Sequence, residues 1–340
     1  MDTRFLLTLS EAPGVATACG PVIDEIRRYL GRRANVRFCP DSHILITHTG
    51  APAAEPVEAP VAELVEAEPV EAGLRRLLIA HMDEIGGVAL QRRADGTFDT
   101  RSWGCTPDLY VGRELQGMDY LAARSDEAFP IEGELVDGPE GPCLVLRGDG
   151  IRPFRTVWTY RQAATLDGDR IHGKALDPRA TLFAVLSAFL EVDDPSVGVL
   201  VVMAEECAMD MARKAVLNLQ RACRGLELIV NADVPDVRNL LDADLTLPAV
   251  RIFEGRGFVD PWFGIRTAER LEEAGVPFHL TAARSSSQTG LFSPLAPTIS
   301  VALPGENIHR RRSTMSLTGI RRCIDLLIAL ARLPLDGACR

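Results

Sequence analysis

The sequence has no CxxC pair, no long apolar run and no excess of basic residues, and each absence excludes a class of protein. Its eight cysteines, Cys19, Cys39, Cys105, Cys143, Cys207, Cys223, Cys323 and Cys339, are scattered singly. Together with an N-terminus that lacks the apolar core of a signal peptide, this spacing predicts reduced thiols in a cytoplasmic protein. No apolar stretch is long enough to span a bilayer, so no membrane partner is expected. Acidic side chains outnumber basic ones 47 to 37, a net charge of −10. A nucleic-acid surface needs a basic face, so no nucleic-acid partner is expected. The 340 residues suffice for one large domain and a smaller one.

The helical face Val22, Ile23, Ile26, Tyr29 and Leu30 is followed by Gly31, a helix stop. Two short strands, around Val36–Cys39 and Ile44–Thr47, come next. Residues 51–73 are Ala, Pro, Val and Glu apart from Leu64 and Gly73, with Pro-Val-Glu-Ala at Pro56 and again at Pro69. This low-complexity, acidic composition predicts a surface loop. Residues 88–164 carry short apolar runs, Leu109-Tyr110-Val111, Gly133–Val136 and Cys143–Leu146, between Asp-Gly turns. They are expected to form a small β domain inserted into an α/β domain made of residues 1–87 and 165–340.

The chemistry lies at strand ends. Leu77-Leu78-Ile79-Ala80 is a buried strand that stops on His81, and Asp83 two residues on can brace the imidazole. Val199–Met203 is another buried strand, followed by Glu205 and Glu206. Leu226–Ala232 leads to Asp233, and Thr298–Leu303 leads towards His309. Asp177 precedes a strongly apolar helix and alone would serve equally as a cap or first-turn acid. Ligands gather outside the carboxyl ends of strands in open α/β sheets. Two histidines and several carboxylates at one such edge suit Zn²⁺, Co²⁺ or Mn²⁺. With a bridging carboxylate they suit a pair of ions about 3.5–4 Å apart. Of the adjacent acids Glu205 and Glu206, one can bind metal while the other faces a bound water. His172 is expected to be an exposed turn residue and Cys207 a small core residue.

Taken in order, Glu11–Val15, Ala80-His81-Met82-Asp83-Glu84-Ile85-Gly86, Gly173-Lys174-Ala175-Leu176-Asp177, Glu205-Glu206, Asp233-Val234 and Asn307-Ile308-His309 resemble the glutamyl-aminopeptidase and tetrahedral-aminopeptidase family of dinuclear metallo-aminopeptidases. The resemblance spans nearly the whole chain. It implies an α/β peptidase fold, a central mixed sheet flanked by helices, interrupted by a small PDZ-like β-barrel. It implies one metal held by His81, Asp177 and Asp233 and a second held by Asp177, Glu206 and His309. Glu205 would be the general base, Asp83 would orient His81, and the two ions would activate a water that removes N-terminal residues from peptides. Homo-oligomers, dimers or dimer-based shells, are implied as well.

The chain departs from the family in several places. Pro178 stands where a second acid is usual, and it predicts a cis Asp177–Pro178 bond. Cys207–Asp210 replaces a Gly-containing turn. Ser285–Gly290 replaces a Gly-Thr-Asp-Ala-like loop, with Gln288 in the acid's place, and Arg310-Arg311-Arg312 makes the metal loop basic. These changes leave three functions to separate: an aminopeptidase, an amidohydrolase for a specialised small amide, and a non-catalytic metal-binding relative used in assembly. The complete ligand set argues against the third.

Overall fold

The computed structural model describes residues 1–39, 42–49, 73–104, 106–119, 128–138, 141–207, 209–222, 225–255 and 257–334. The acidic stretch 51–73 lies outside them except for Gly73.

Helix α1 (Thr3–Glu11) starts on Asp2, whose side chain accepts from the Phe5 N–H at 3.1 Å. Helix α2 (Gly20–Leu30) buries Val22, Ile23, Ile26 and Leu30 and stops at Gly31, as the periodicity predicts. Strands β1 (Ala34–Cys39), β2 (His43–His48) and β3 (Arg76–His81) follow. The chain then leaves for β4 (Gly86–Arg92), β5 (Phe98–Trp103), β6 (Leu115–Asp119), β7 (Phe129–Gly138), β8 (Gly141–Arg147) and β9 (Thr156–Tyr160). It returns through the hairpin β10 (Thr165–Asp167) and β11 (Arg170–Gly173) to α3 (Leu176–Val192), β12 (Val197–Val202), α4 (Met209–Ala222) and β13 (Leu228–Asp233). The last stretch is β14 (Ala249–Glu254), β15 (Gly257–Phe258), α5 (Pro261–Glu273), β16 (His279–Ala282), α6 (Thr289–Phe292), β17 (Thr298–Ala302), β18 (Ser313–Ser316) and α7 (Leu317–Arg332).

The main sheet is mixed and nine-stranded, in the order β1-β2-β12-β3-β13-β17-β14-β15, with β16 on β14. Its centre, β12-β3-β13-β17, is parallel. Parallel strands covered on both faces read as continuous apolar runs, which is why these four were legible in the sequence. Alternate residues feed two cores. Leu78, Ala80, Val199, Val201 and Val230 meet Phe183, Leu186 and Phe189 of α3, with Leu326, Leu327 and Leu330 of α7 behind. Leu77, Ile79, Leu200, Val202 and Ile229 meet Ala212, Ala215, Val216 and Leu219 of α4. Helix α3 is buried along most of its length because α1, α7 and the sheet all pack on it.

Strands β4-β5-β8-β7-β6-β9 close a barrel with its own core. A Cβ on Gly86 would lie 2.1 Å from the Trp158 carbonyl oxygen, and one on Gly87 would lie 2.5 Å from that of Arg101. Only glycine lets β4 approach its neighbours this closely. Leu109-Tyr110-Val111, expected within the short strands of this domain, instead forms the end of the 3₁₀ turn Pro107–Tyr110. Pro107 opens that turn, and Tyr110 plugs the barrel edge-on to Trp158 with ring centroids 4.6 Å apart. Three apolar residues could not distinguish a plug from a strand. No helix among the described residues is long and apolar enough to cross a membrane.

Candidate metal centre

Strand register brings the candidate residues to one edge. Val202 pairs with His81 and Asn231 with Ile79, so β12, β3 and β13 end level, with His81 and Asp233 as last residues. Glu205 and Glu206 follow β12 after Ala204, whose φ is 61°. Asp177 enters α3 with φ −88° and ψ 112°, just after Ala175 at φ 52°. The Asp177–Pro178 bond is cis, as its proline predicts. Asn307 and His309 have φ of 56° and 62°. Left-handed backbone at a non-glycine residue costs about 1–3 kcal/mol and persists where the surroundings hold it. Here it recurs on three turns that carry candidate ligands.

The side chains converge in two groups. His81 Nε2 lies 3.2 Å from Asp177 Oδ1 and 3.6 Å from Asp233 Oδ1. His309 Nε2 lies 3.3 Å from Asp177 Oδ2 and 3.1 Å from Glu206 Oε1. Ligand atoms of His81, Asp177 and Asp233, and again of Asp177, Glu206 and His309, lie within 4.8 Å of one another. Asp177 belongs to both groups and offers a different oxygen to each histidine.

Asp83 has two tasks where the sequence suggested one. Its Oδ1 is 3.4 Å from His81 Nδ1. It also accepts the N–H of Glu205 on Oδ1 at 2.9 Å and that of Glu206 on Oδ2 at 3.1 Å. One buried carboxylate therefore lies beside the imidazole and pins the turn carrying both glutamates.

The electrostatics are those of a carboxylate cage. Burial pushes the Glu205 carboxyl well above its usual range, and Glu206, Asp233 and Asp83 add to this against the pull of His81. Burial also raises Glu206, partly offset by His309. Asp233 moves the other way: burial would raise it, but His81 and Arg251 hold it well below the usual range. Burial would lower both imidazoles, yet the surrounding carboxylates win. His81 is raised well above its ordinary value, and His309 is pushed up to about 12. The cage thus favours positive charge at its centre. Asp177 Oδ1 and Glu206 Oε1 are buried and, although an imidazole nitrogen lies within 3.2 Å of each, accept no hydrogen bond among the described residues. Such orphaned acceptors cost about 1–3 kcal/mol each unless something satisfies them. Two imidazoles and several carboxylates with free lone pairs fit divalent cations.

Other expected residues lie around this centre. His172 is not a turn residue: it sits in β11, with Nδ1 2.8 Å from Thr314 Oγ1 of β18. Cys207 is half-buried, and burial beside Asp83 and Glu206 pushes its thiol up to about 12. Gln288 is buried and donates to Asn231 Oδ1 at 3.1 Å, behind Asp233 on β13. Arg310 and Arg312 are exposed, and Arg311 donates to Gln162 Oε1 at 2.6 Å. Two features were missed. Arg251 of β14 pairs with Asp233 Oδ2 at 3.2 Å, and a buried cluster of Glu84, Lys174 and Arg179 lies behind Asp83 and Asp177. Their only sequence signal is a charged residue inside or beside an apolar run.

No family model and no curated protein matches the chain. Solved structures do match, at low identity over full length. The TET1 peptidase of Pyrococcus horikoshii, described as assembling into a tetrahedron or a large octahedral shell, is 16% identical, with 97% of this chain and 99% of that one covered and a TM-score of 0.76. A TET aminopeptidase from a marine-sediment thaumarchaeon is 15% identical, with 99% and 98% covered and a TM-score of 0.76. An aminopeptidase from Desulfurococcus kamchatkensis is 14% identical, with 99% and 97% covered and a TM-score of 0.73. From its parallel sheet core to its inserted barrel, the chain has the fold of the tetrahedral aminopeptidases.

Proposed function

We propose that this protein is a metal-dependent aminopeptidase that uses two divalent ions. The observation carrying this reading is Asp177, whose two oxygens face the two histidines of two ligand groups. His81, Asp177 and Asp233 would hold one ion, and Asp177, Glu206 and His309 the other. Zn²⁺ suits the donor set best, with Co²⁺ or Mn²⁺ as substitutes. When bound, the ions supply Lewis acidity and lower the pKa of water in the site. Glu205 is the general base. It stands on the same turn as Glu206 but belongs to neither ligand group, which leaves its carboxylate for proton transfer. It takes the proton of the attacking water and delivers it to the leaving amine. Asp83 keeps His81 and the Glu205–Glu206 turn in place.

The fold also supports a homo-oligomer, since the P. horikoshii peptidase that shares it is described as assembling into a tetrahedron or a large octahedral shell; a dimer or a dimer-based shell is proposed. Residues 88–164 are proposed as a separate inserted domain.

The test is an activity screen on aminoacyl-p-nitroanilides, free amino-acid amides and short peptides, with Zn²⁺, Co²⁺ or Mn²⁺ reloaded into metal-free protein. Cleavage that requires a free α-amine supports the reading. Turnover of one small amide but no peptide would favour a specialised amidohydrolase. Two ions bound without any turnover would favour the non-catalytic relative.

A further inference from the structure

Asp233 presents its two oxygens to different partners. Oδ1 faces His81 Nε2, inside the first ligand group, while Oδ2 lies 3.2 Å from Arg251 Nη1. Arg251 is itself fully buried on β14, and its Nε donates to Ser300 Oγ at 2.8 Å and lies 3.2 Å from Glu254 Oε1. Glu254 is fixed in turn, since it accepts from the Ser287 N–H at 3.0 Å and from Ser300 Oγ at 2.6 Å. The guanidinium therefore cannot swing away from Asp233. Among the described residues, the ion pairs of Glu206 and His309 run only within their own group.

We propose that Arg251 is a positioning residue that holds Asp233 to a single-oxygen ligand and so makes the His81–Asp177–Asp233 site differ in metal affinity from the Asp177–Glu206–His309 site. The physical reason is direct. A carboxylate with one oxygen committed to a buried cation can offer only the other to a metal, and its electron density is shared between the two. A partner of a metal ligand typically changes affinity by about 10–100-fold when removed. Arg251 acts on one ligand that belongs to one group, so its effect is confined to that site. The inference rests on the two-ion reading above.

The experiment is calorimetric titration of metal-free wild type, Arg251→Lys and the charge-compensated pair Arg251→Met/Glu254→Gln with Zn²⁺, with circular dichroism as a check of folding. Wild type should show two binding events. In the compensated pair one event should shift by about 10–100-fold while the other stays within about twofold. Arg251→Lys keeps the charge but not the fork and should fall between. A wild type that binds fewer than two ions overturns the two-ion reading itself. Two events in wild type, with both or neither displaced in a folded compensated pair, overturn the role of Arg251 alone.

Discussion

The Lys174 ammonium donates to the Glu84 carboxylate with both side chains only 1% exposed. Glu84 also accepts the Gly14 N–H at 3.2 Å and Thr159 Oγ1 at 2.9 Å. Arg179, fully buried, donates to the carbonyl oxygens of Met82 and Ala12. One buried carboxylate therefore ties together the N-terminal segment, the exit of β3, the last barrel strand and the approach to α3. Asp83 and Asp177 sit on two of those four pieces.

Lys174→Met should destabilise the metal-free protein by about 3–5 kcal/mol, because it leaves Glu84 charged and buried with only the more distant Arg179, at 3.9 Å, as a cation. Adding Glu84→Gln should recover part of the loss by removing that charge while keeping an acceptor for Gly14 and Thr159. Urea unfolding of the three proteins measures both effects. A loss below about 1 kcal/mol for Lys174→Met would show that the pair contributes little.

His43 supplies a pH dependence away from the metal centre. It is buried at the start of β2, opposite Val202, with Ser42 Oγ 2.8 Å from its Nδ1. Burial, helped by Arg37, lowers its imidazole to about 4. The unfolded chain has the ordinary value of about 6.5. A depressed folded pKa means the unfolded state takes up the proton first as pH falls. Stability is thus fully present above about 6.5 and lost on the way down to about 4, by about 3 kcal/mol at about 1.4 kcal/mol per unit. His43→Asn removes this component. The stability difference between wild type and variant, measured by urea at pH 7 and pH 4.5, should shrink in the variant's favour by about 2–3 kcal/mol. Parallel pH profiles would contradict it.

Membership of both ligand groups distinguishes Asp177 from the other candidate ligands. Asp177→Ala should weaken both ions, leaving fewer than one per chain after dialysis. Asp233→Ala should leave close to one, because Asp233 belongs to a single group. Elemental analysis after reloading checks both, and equal stoichiometries would sink the shared-ligand arrangement.

How much of this was readable depended on how local each signal was. The strands ending at His81, Val202 and Asp233 were legible because burial on both faces makes their apolar runs continuous. The candidate ligands His81, Glu206 and Asp233 were legible because they stand at or just beyond the points where those runs stop. The barrel announced itself through Asp-Gly turns, but Tyr110 did not reveal that it plugs the barrel. Lys174 and Glu84 are 90 residues apart, and Arg251 lies 18 beyond Asp233. Such pairings come from strand order, and no spacing rule reports them. Ala175 and Ala204 take left-handed backbone without the glycine that would have marked it.

Glu205 and Glu206 adjoin in sequence and share one anchor, Asp83, through their backbone N–H groups. Their side chains differ in partners. Glu206 Oε1 lies 3.1 Å from His309 Nε2, inside a ligand group, whereas Glu205 belongs to neither group. Glu205→Gln keeps the shape and loses only the ability to accept a proton. Metal content should stay near wild type while turnover falls by about 10²–10⁴, the usual contribution of a positioned acid–base group. Glu206→Gln should lose metal affinity together with activity, and added metal should restore part of its turnover. Both variants keep the backbone bonds to Asp83, so a shared fold defect cannot produce the contrast. Metal analysis and kcat, measured side by side on the best p-nitroanilide, separate the outcomes. Equal metal loss in the two variants would mean that the adjacent pair is assigned the wrong way round. Nearly full turnover in metal-replete Glu205→Gln would remove Glu205 from the chemistry and leave the general base to be sought elsewhere in the cage.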